Sequence, residues 1–154
     1  MPGYGVEDGP EGLLDWGEAV RRMGASRNFW LATTRRDGRP HVMPVWAVWL
    51  DDALWFSSSL RSRKIRNLRA EPRCTLTTED AEHPVVVDGV AEVVLDRGRT
   101  GAFLAASNAK YQVDYGIEFL DPAVNATVRV APVWAFALDE ERFTGSPTRW
   151  HFTP

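Results

Sequence analysis

The chain has 154 residues, of which 44% are hydrophobic, and seven Trp and seven Phe are among them, so it is predicted to be globular rather than disordered. Its formal net charge of -3 argues against a general nucleic-acid binder. No apolar run approaches the roughly 20 residues that a membrane helix needs, so we expect neither nucleic acid nor a membrane as partner.

The hydrophobic pattern of the first half predicts a helix, a β meander and a second helix. Apolar residues at helical spacing predict an amphipathic helix over residues 11–24, after a flexible lead-in at residues 1–9. Asp37-Gly38 and Asp51-Asp52 are predicted turns. The strands that they join are predicted at residues 28–35, 40–50 and 54–57. A second helix follows over residues 62–70 and ends before Pro72.

The second half of the chain is predicted to add three strands and one more helix. The strands are expected at residues 73–78, 84–95 and 128–138, with Asp88-Gly89 as a turn or a bulge. The composition of residues 97–112 suits a helix, residues 113–126 are irregular, and residues 148–152 form a tail. No repeat, low-complexity segment or linker divides the chain. Residues 1–154 are therefore predicted to form one domain.

The first residues and the single cysteine bear on the compartment. Met1–Asp8 lacks the basic and apolar regions of a signal peptide. Cys74 is the only cysteine, so no internal disulfide can form, and this suits a reducing cytoplasm. Because Cys74 falls in a predicted strand, we interpret it as a buried, inert thiol. We expect a cytoplasmic protein.

One predicted strand is apolar on both faces. Its first face carries Val42, Pro44, Trp46, Val48 and Leu50, and its second face carries Met43, Val45, Ala47 and Trp49. A strand with one face in water would alternate apolar and polar residues, so this strand is expected to be covered twice. One cover would be a small barrel interior. The other would be a second subunit, a flat ligand or a helix of the same chain.

The start of the second helix carries charges of the wrong sign for helix stability. Ser62 is a predicted N-cap, and Arg63 and Lys64 fill the first turn, where the helix dipole favours acidic side chains. Arg61, Arg66 and Arg69 lie on or beside the same helix. Cations at a helix start are expected where an anion binds to them and to the backbone N–H groups. We favour a ligand that bears phosphate over a solvated basic helix face.

The sequence offers no catalytic apparatus of its own. Its three histidines are scattered, and no cysteine or carboxylate lies at the spacing of metal ligands, so we expect no bound transition metal. No phosphate-binding glycine loop or nucleophile elbow is present. Ser57 to Ser59 is interpreted as a strand end that offers hydroxyl groups to a ligand or to the helix start. Difficult chemistry would therefore require a cofactor.

Several motifs in order resemble the split β-barrel superfamily of pyridoxamine 5′-phosphate oxidase. They are Leu31-Ala32-Thr33, Asp37-Gly38-Arg39-Pro40, Trp55-Phe56-Ser57, Ser62-Arg63-Lys64, Asn67-Leu68, Pro72-Arg73, residues 87–92 and Arg149-Trp150-His151-Phe152. Within it the chain is most similar to the short B-type flavin/deazaflavin oxidoreductases that use coenzyme F420. The resemblance implies a mainly β fold with flanking helices, a six-stranded split β-barrel of the FMN-binding type. It also implies a homodimer with the cofactor in a groove between the subunits.

The resemblance assigns cofactor-binding residues by position. Ser62, Arg63 and Lys64 correspond to the segment that holds the cofactor phosphate. The residues that correspond to the lining of the ring system are Val42, Pro44, Val45, Trp46, Ser57 and Ser58. Arg149 and Trp150 correspond to a tail that reaches the cofactor, usually in the other subunit; for Trp150 a role as packing anchor is the alternative. No catalytic residue is assigned.

Two positions depart from the oxidase that names the superfamily. Its second strand carries an Arg and a Lys that grip phosphate, and the corresponding residues here are Met43 and Val48. Oxidation of a vitamin B6 phosphate is therefore not expected. The acidic oligoglutamate tail of coenzyme F420 would suit Arg61, Arg66 and Arg69. This favours coenzyme F420 over FMN.

The resemblance leaves three functions to compare. The first is a reductase that uses coenzyme F420 to transfer a hydride to a small unsaturated or conjugated substrate. The second is an FMN-dependent oxidoreductase of the same fold. The third is a protein that binds or carries a flavin or coenzyme F420 without turnover.

Overall fold

The computed structural model describes residues 13–153 as three α-helices around one antiparallel sheet. The helices are α1 (Trp16–Ala25), α2 (Arg63–Ala70) and α3 (Arg97–Tyr111). The strands are β1 (Phe29–Thr34), β2 (Pro40–Val45), β3 (Val48–Leu50), β4 (Ala53–Ser59), β5 (Arg73–Thr78), β6 (Val85–Val93), β7 (Asn125–Ala137) and β8 (Thr148–His151). Short 3-10 helices cover Ile117–Leu120 and Glu140–Arg142. The predicted lead-in at residues 1–9 lies outside the described residues.

The sheet curls so that its two ends meet. The strand order is β2-β1-β5-β6-β7-β4-β3, and β8 pairs with the last part of β7. The end strands β2 and β3 follow each other in the chain, with only Trp46 and Ala47 between them. Two linking residues span about 10 Å at most, so the opposite edges of the sheet must lie side by side. This curled antiparallel sheet with flanking helices confirms the predicted split-barrel fold.

Two hydrophobic cores stabilise the sheet. The inner one fills the concave side of the curl and contains, among others, Met23, Phe29, Leu31, Phe56, Ile65, Leu76 and Val130. The second lies between α3 and the opposite face of β3 and β4, around Trp55 and Phe103. Alternation along β4 explains both, since Leu54 and Phe56 enter the first core and Trp55 enters the second. Cys74 is buried as predicted, and burial raises the pKa of its thiol to about 12.

The local turns follow the predicted chemistry. Asp51 and Asp52 both have positive φ and form the two-residue turn between β3 and β4, which matches the twist of a hairpin. The pairing of β6 with β7 shifts between Asp88 and Gly89, where β7 carries the extra residue Val133. Asp88 and Gly89 therefore lie inside one continuous strand, opposite a bulge of β7, and do not form a turn. A Cβ at Gly89 would lie 2.5 Å from the carbonyl oxygen of Ala131, and glycine is therefore required there.

Three predicted boundaries differ from the structure. The strand predicted from residue 128 begins at Asn125. The first helix, predicted over residues 11–24, begins at Trp16, because the carboxylate of Asp15 caps it by accepting a hydrogen bond from the N–H of Glu18 at 2.8 Å. The strand predicted over residues 40–50 is broken at Trp46 and Ala47. A tail was predicted at residues 148–152, and β8 adds it to the sheet beside β7.

The expected double cover of this strand holds only for its second half. Val48 is buried in the second core, with Leu50 packed against it. In β2, by contrast, Val42 is 51% exposed, Met43 44% and Trp46, just beyond its end, 39%. The helix of the same chain thus covers β3, whereas β2 presents an apolar surface that nothing in residues 13–153 covers. No helix in this part of the chain is long and apolar enough to span a membrane.

Candidate functional site

The start of α2 forms a cradle of hydroxyl groups and cations. Ser62 is the N-cap, and its Oγ accepts a hydrogen bond from the N–H of Ile65 at 3.4 Å, as predicted. Ser58, at the end of β4, donates to Ser62 Oγ at 3.1 Å. Lys64 Nζ lies 3.5 Å from Ser58 Oγ. The structure thus brings together Ser58, Ser62 and Lys64, three of the residues that the sequence assigned to the cofactor.

The cations of this helix have no acidic partners. Within residues 13–153 no ion pair involves Arg61, Arg63, Lys64, Arg66 or Arg69, and the first turn of α2 contains no acidic residue. Burial lowers the pKa of Lys64. The backbone N–H groups of Arg63 and Lys64 also make no hydrogen bond in this part of the chain. Free N–H groups, a positive dipole end and unpaired cations are the features that favour the binding of an anion.

A second wall of the cradle comes from the β1–β2 hairpin. Asn67 of α2 donates a hydrogen bond to Thr33 Oγ1 at 3.0 Å, and Thr33 donates to the carbonyl of His41 at 3.3 Å. Burial, together with the positive charges of Arg35, Lys64 and Arg63, lowers the pKa of His41. His41 therefore lies within the electrostatic field of the cradle.

A wide arginine-rich cavity opens beside this cradle. Its volume is about 590 Å³, and it is lined by Arg35, Arg36, Asp37, Arg39, Arg63, Arg66, Asn67 and Arg69. The only carboxylate in the lining, Asp37, is paired with Arg39 at 2.6 Å. The Nε of Arg35 is buried and has no hydrogen-bond partner among residues 13–153. The remaining positive charge suits a ligand with several negative groups.

The free edge of β2 can offer backbone groups to a flat ring. Among the described strands β2 pairs only with β1. Since Arg35 N–H donates to the carbonyl of Arg39, alternation directs the backbone of His41, Met43 and Val45 toward β1. The N–H of Val42 and the carbonyls of Val42 and Pro44 then point away from the sheet. Both prolines of this strand, Pro40 and Pro44, stand at outward positions, where the missing N–H breaks no sheet hydrogen bond.

Trp46 stands at the far end of this edge. It lies five residues after His41, about 16 Å away at the rise of a strand. Its indole stacks on Tyr111 of α3, with ring centroids 4.3 Å apart and an angle of 4° between the planes. Arg27 covers the indole at 5.6 Å from the ring centroid. An elongated ligand with its anion at His41 would therefore place its other end near Trp46.

The structure does not gather all of the predicted residues. Ser57 faces away from Ser58 because neighbouring strand residues alternate, and its buried Oγ has no hydrogen-bond partner in the part of the chain that the structure describes. Arg149 on β8 is exposed. Trp150 packs on Trp16 of α1 with centroids 5.1 Å apart, in a cluster that Trp49 and Phe152 complete. Within the described chain Trp150 thus packs as an anchor of the C-terminal strand, and the expected contact of Arg149 and Trp150 with a cofactor in the other subunit stays a prediction.

Sequence reasoning missed His41 and the hairpin arginines Arg35, Arg36 and Arg39. A lone histidine in an apolar strand carries no ligand signal. The hairpin arginines lie beside α2 only in the folded chain, so their proximity could not be predicted from the sequence. Three arginines within five residues are nevertheless a cluster that could have been noticed. Val48, at the position that the resemblance assigns to a phosphate-binding Lys, is buried in the second core with α3.

Comparison with protein-family models matches residues 17–144 to the family described as pyridoxamine 5′-phosphate oxidase. No curated protein matches the chain. Among solved structures, the conserved hypothetical protein Rv2991 of Mycobacterium tuberculosis is 24% identical with a TM-score of 0.73, covering 88% of this chain and 91% of its own. At that identity it shows the shared fold.

Two other solved structures carry ligand names. A protein titled F420 reductase is 28% identical, with a TM-score of 0.62, and the match covers 75% of this chain and 93% of that one. A FAD-binding protein of Mesorhizobium loti is 25% identical, with a TM-score of 0.61, and the match covers 79% and 92%. The chain is thus similar to proteins that are named for flavin-type cofactors.

Proposed function

Because the chain belongs to the pyridoxamine 5′-phosphate oxidase family, we propose that it is an oxidoreductase that uses coenzyme F420 on a small unsaturated or conjugated substrate. The observation that carries the proposal is the unpaired cationic start of α2 beside a cavity with six arginines. When bound, coenzyme F420 supplies a hydride donor or acceptor.

The charge of the cavity favours coenzyme F420 over FMN. Both ligands have a tricyclic ring and a phosphate, so the cradle of Ser58, Ser62 and Lys64 suits either. FMN ends at that phosphate, whereas coenzyme F420 continues into an acidic tail. The arginines of α2 and of the β1–β2 hairpin extend beyond the cradle and would hold such a tail.

The chain's own residues would bind and orient the ring system. The outward backbone groups of Val42 and Pro44 match the donors and acceptors at the edge of a pyrimidine ring. Val45 and Trp46 give this end of the site an apolar wall that excludes water. Positioning rather than acid–base catalysis is the contribution of the protein in this proposal. Solvent would supply or accept the proton.

The exposed face of β1 and β2 supports a homodimer. Trp30 is paired with Pro44 and Ala32 with Val42, so these four side chains share the outer face of the sheet. Trp30 is 46% exposed in the single chain. A contiguous apolar surface of this kind is typical of protein interfaces, and a second copy would cover it and close the ring site.

A flavin is the second candidate cofactor, and the similarity to a FAD-binding protein favours it. A role as a carrier without turnover is the third reading. Absorbance of the purified protein identifies the cofactor. Steady-state oxidation of reduced coenzyme F420 by conjugated enones and nitroaromatic compounds separates an enzyme from a carrier. Turnover that requires the Lys64 side chain supports the proposal, and bound flavin with no consumption of reduced coenzyme F420 contradicts it.

A further inference from the structure

The break between β2 and β3 is held by the last turn of α3. Ala47 is fully buried and pairs with no strand, so its backbone N–H and carbonyl need other partners. Tyr111 Oη accepts a hydrogen bond from the N–H of Ala47 at 2.8 Å and lies 2.9 Å from its carbonyl oxygen. Two side-chain contacts thus replace the missing sheet hydrogen bonds.

Lys110 also holds the backbone of Ala47. Its Nζ donates to the carbonyl of Ala47 at 2.9 Å and to the carbonyl of Met23, in the last turn of α1, at 3.0 Å. It also lies over the ring of Phe29 at 5.0 Å from the centroid. No carboxylate pairs with Lys110 in the described part of the chain, so its ammonium group forms its hydrogen bonds with these two backbone oxygens.

From these contacts we infer that Tyr111 and Lys110 are positioning residues that set the place of Trp46 in the cofactor site. Tyr111 does so twice, because its hydroxyl fixes Ala47 while its ring stacks on the neighbouring indole. This gives a role to α3, whose sequence shows no ligand-binding pattern. The inference rests on the proposed function, since it assumes that the ring system lies against Trp46.

The variant Tyr111→Phe separates the hydroxyl link from the ring stack. It keeps an aromatic ring beside Trp46 and removes only the bonds to Ala47. Tyr115→Phe is the matched control, because Tyr115 is partly exposed, stacks on Phe119 and makes no hydrogen bond through its hydroxyl in the described structure. Hydrogen exchange at the Ala47 amide should become faster in Tyr111→Phe and remain unchanged in the control.

The decisive measurement is titration with coenzyme F420 and, separately, with inorganic phosphate. In Tyr111→Phe the loss of the hydroxyl contacts with Ala47 should weaken the binding of coenzyme F420 about twofold to tenfold. The binding of phosphate at the α2 cradle should remain unchanged. In a Trp46→Phe background the further effect of Tyr111→Phe should be smaller, since the two act together. A purely structural role would lower stability without this selective loss of ring affinity.

Lys110→Met provides a second route if Tyr111→Phe does not fold, and it should show the same selectivity. If the wild-type protein binds coenzyme F420 and both variants bind it with the same affinity, this inference is overturned, while the proposed function stands. Failure of the wild-type protein to bind either coenzyme F420 or FMN overturns the proposed function, and the role of Tyr111 and Lys110 with it.

Discussion

Replacement of Arg63 and Lys64 by Gln should weaken cofactor binding without destabilising the protein. Lys64 is half-buried beside Ser58, and a hydrogen bond from such a cation to an anion contributes about 1.5–3 kcal/mol. Arg63 is exposed and screened by solvent, so its contribution is about 0.5–1 kcal/mol. The sum of about 2–4 kcal/mol corresponds to a loss of roughly 30-fold to 1000-fold in affinity.

The free energy of unfolding of the same variant should not fall with its affinity. Neither side chain forms an ion pair with any described residue, so no such partner is lost, and two cations leave the positive end of the α2 dipole. Urea unfolding without ligand should therefore give an unchanged free energy of unfolding or one up to about 1 kcal/mol higher. The matched control is Arg21→Gln with Arg73→Gln, which removes the same charge from ion-paired surface sites. Equal losses of affinity in both variants, or lost stability with unchanged affinity, would refute the anion site.

Three further predictions concern the interface and two titrating groups. Val42→Glu should convert a dimer into a monomer in sedimentation at micromolar concentration, and a wild-type monomer that still binds cofactor would contradict the shared groove. An anion placed beside His41 should raise its lowered pKa, so calorimetry in buffers of different ionisation heat should detect proton uptake on binding that His41→Gln abolishes. Burial lowers the pKa of Lys110 to about 8 in the folded protein, while the unfolded chain keeps the proton up to about pH 10.4. The free energy of unfolding should therefore rise between these pH values relative to Lys110→Met, and parallel pH profiles would oppose this assignment.

Local signals predicted most of the fold. The strands β1 and β5, the Asp51-Asp52 turn and the Ser62 cap each depend on residues close together in the chain, and all were found. The break between β2 and β3 at Ala47 could not be predicted from such local signals. The run from Val42 to Leu50 is continuously apolar and therefore gives no sign of a break. The hydroxyl group that accepts a hydrogen bond from the N–H of Ala47 belongs to a residue 64 positions further along the chain.

The site was predictable only where it is local. Ser62, Arg63 and Lys64 form one segment whose charge contradicts the helix dipole, and that conflict is visible in the sequence. His41 and the hairpin arginines join the same site only because the sheet brings the β1–β2 hairpin over α2. The sequence alone does not show that His41 and these arginines lie beside α2, because that approach depends on the tertiary fold.

Equilibrium titration of the purified wild-type protein with coenzyme F420 and with FMN tests the central claim most directly. The arginine cavity beyond the phosphate cradle predicts that coenzyme F420 binds at low micromolar concentration or tighter, and FMN at least about tenfold more weakly, a gap of about 1.4 kcal/mol. A yellow protein that retains stoichiometric FMN through purification, or equal affinity for both ligands, would contradict it.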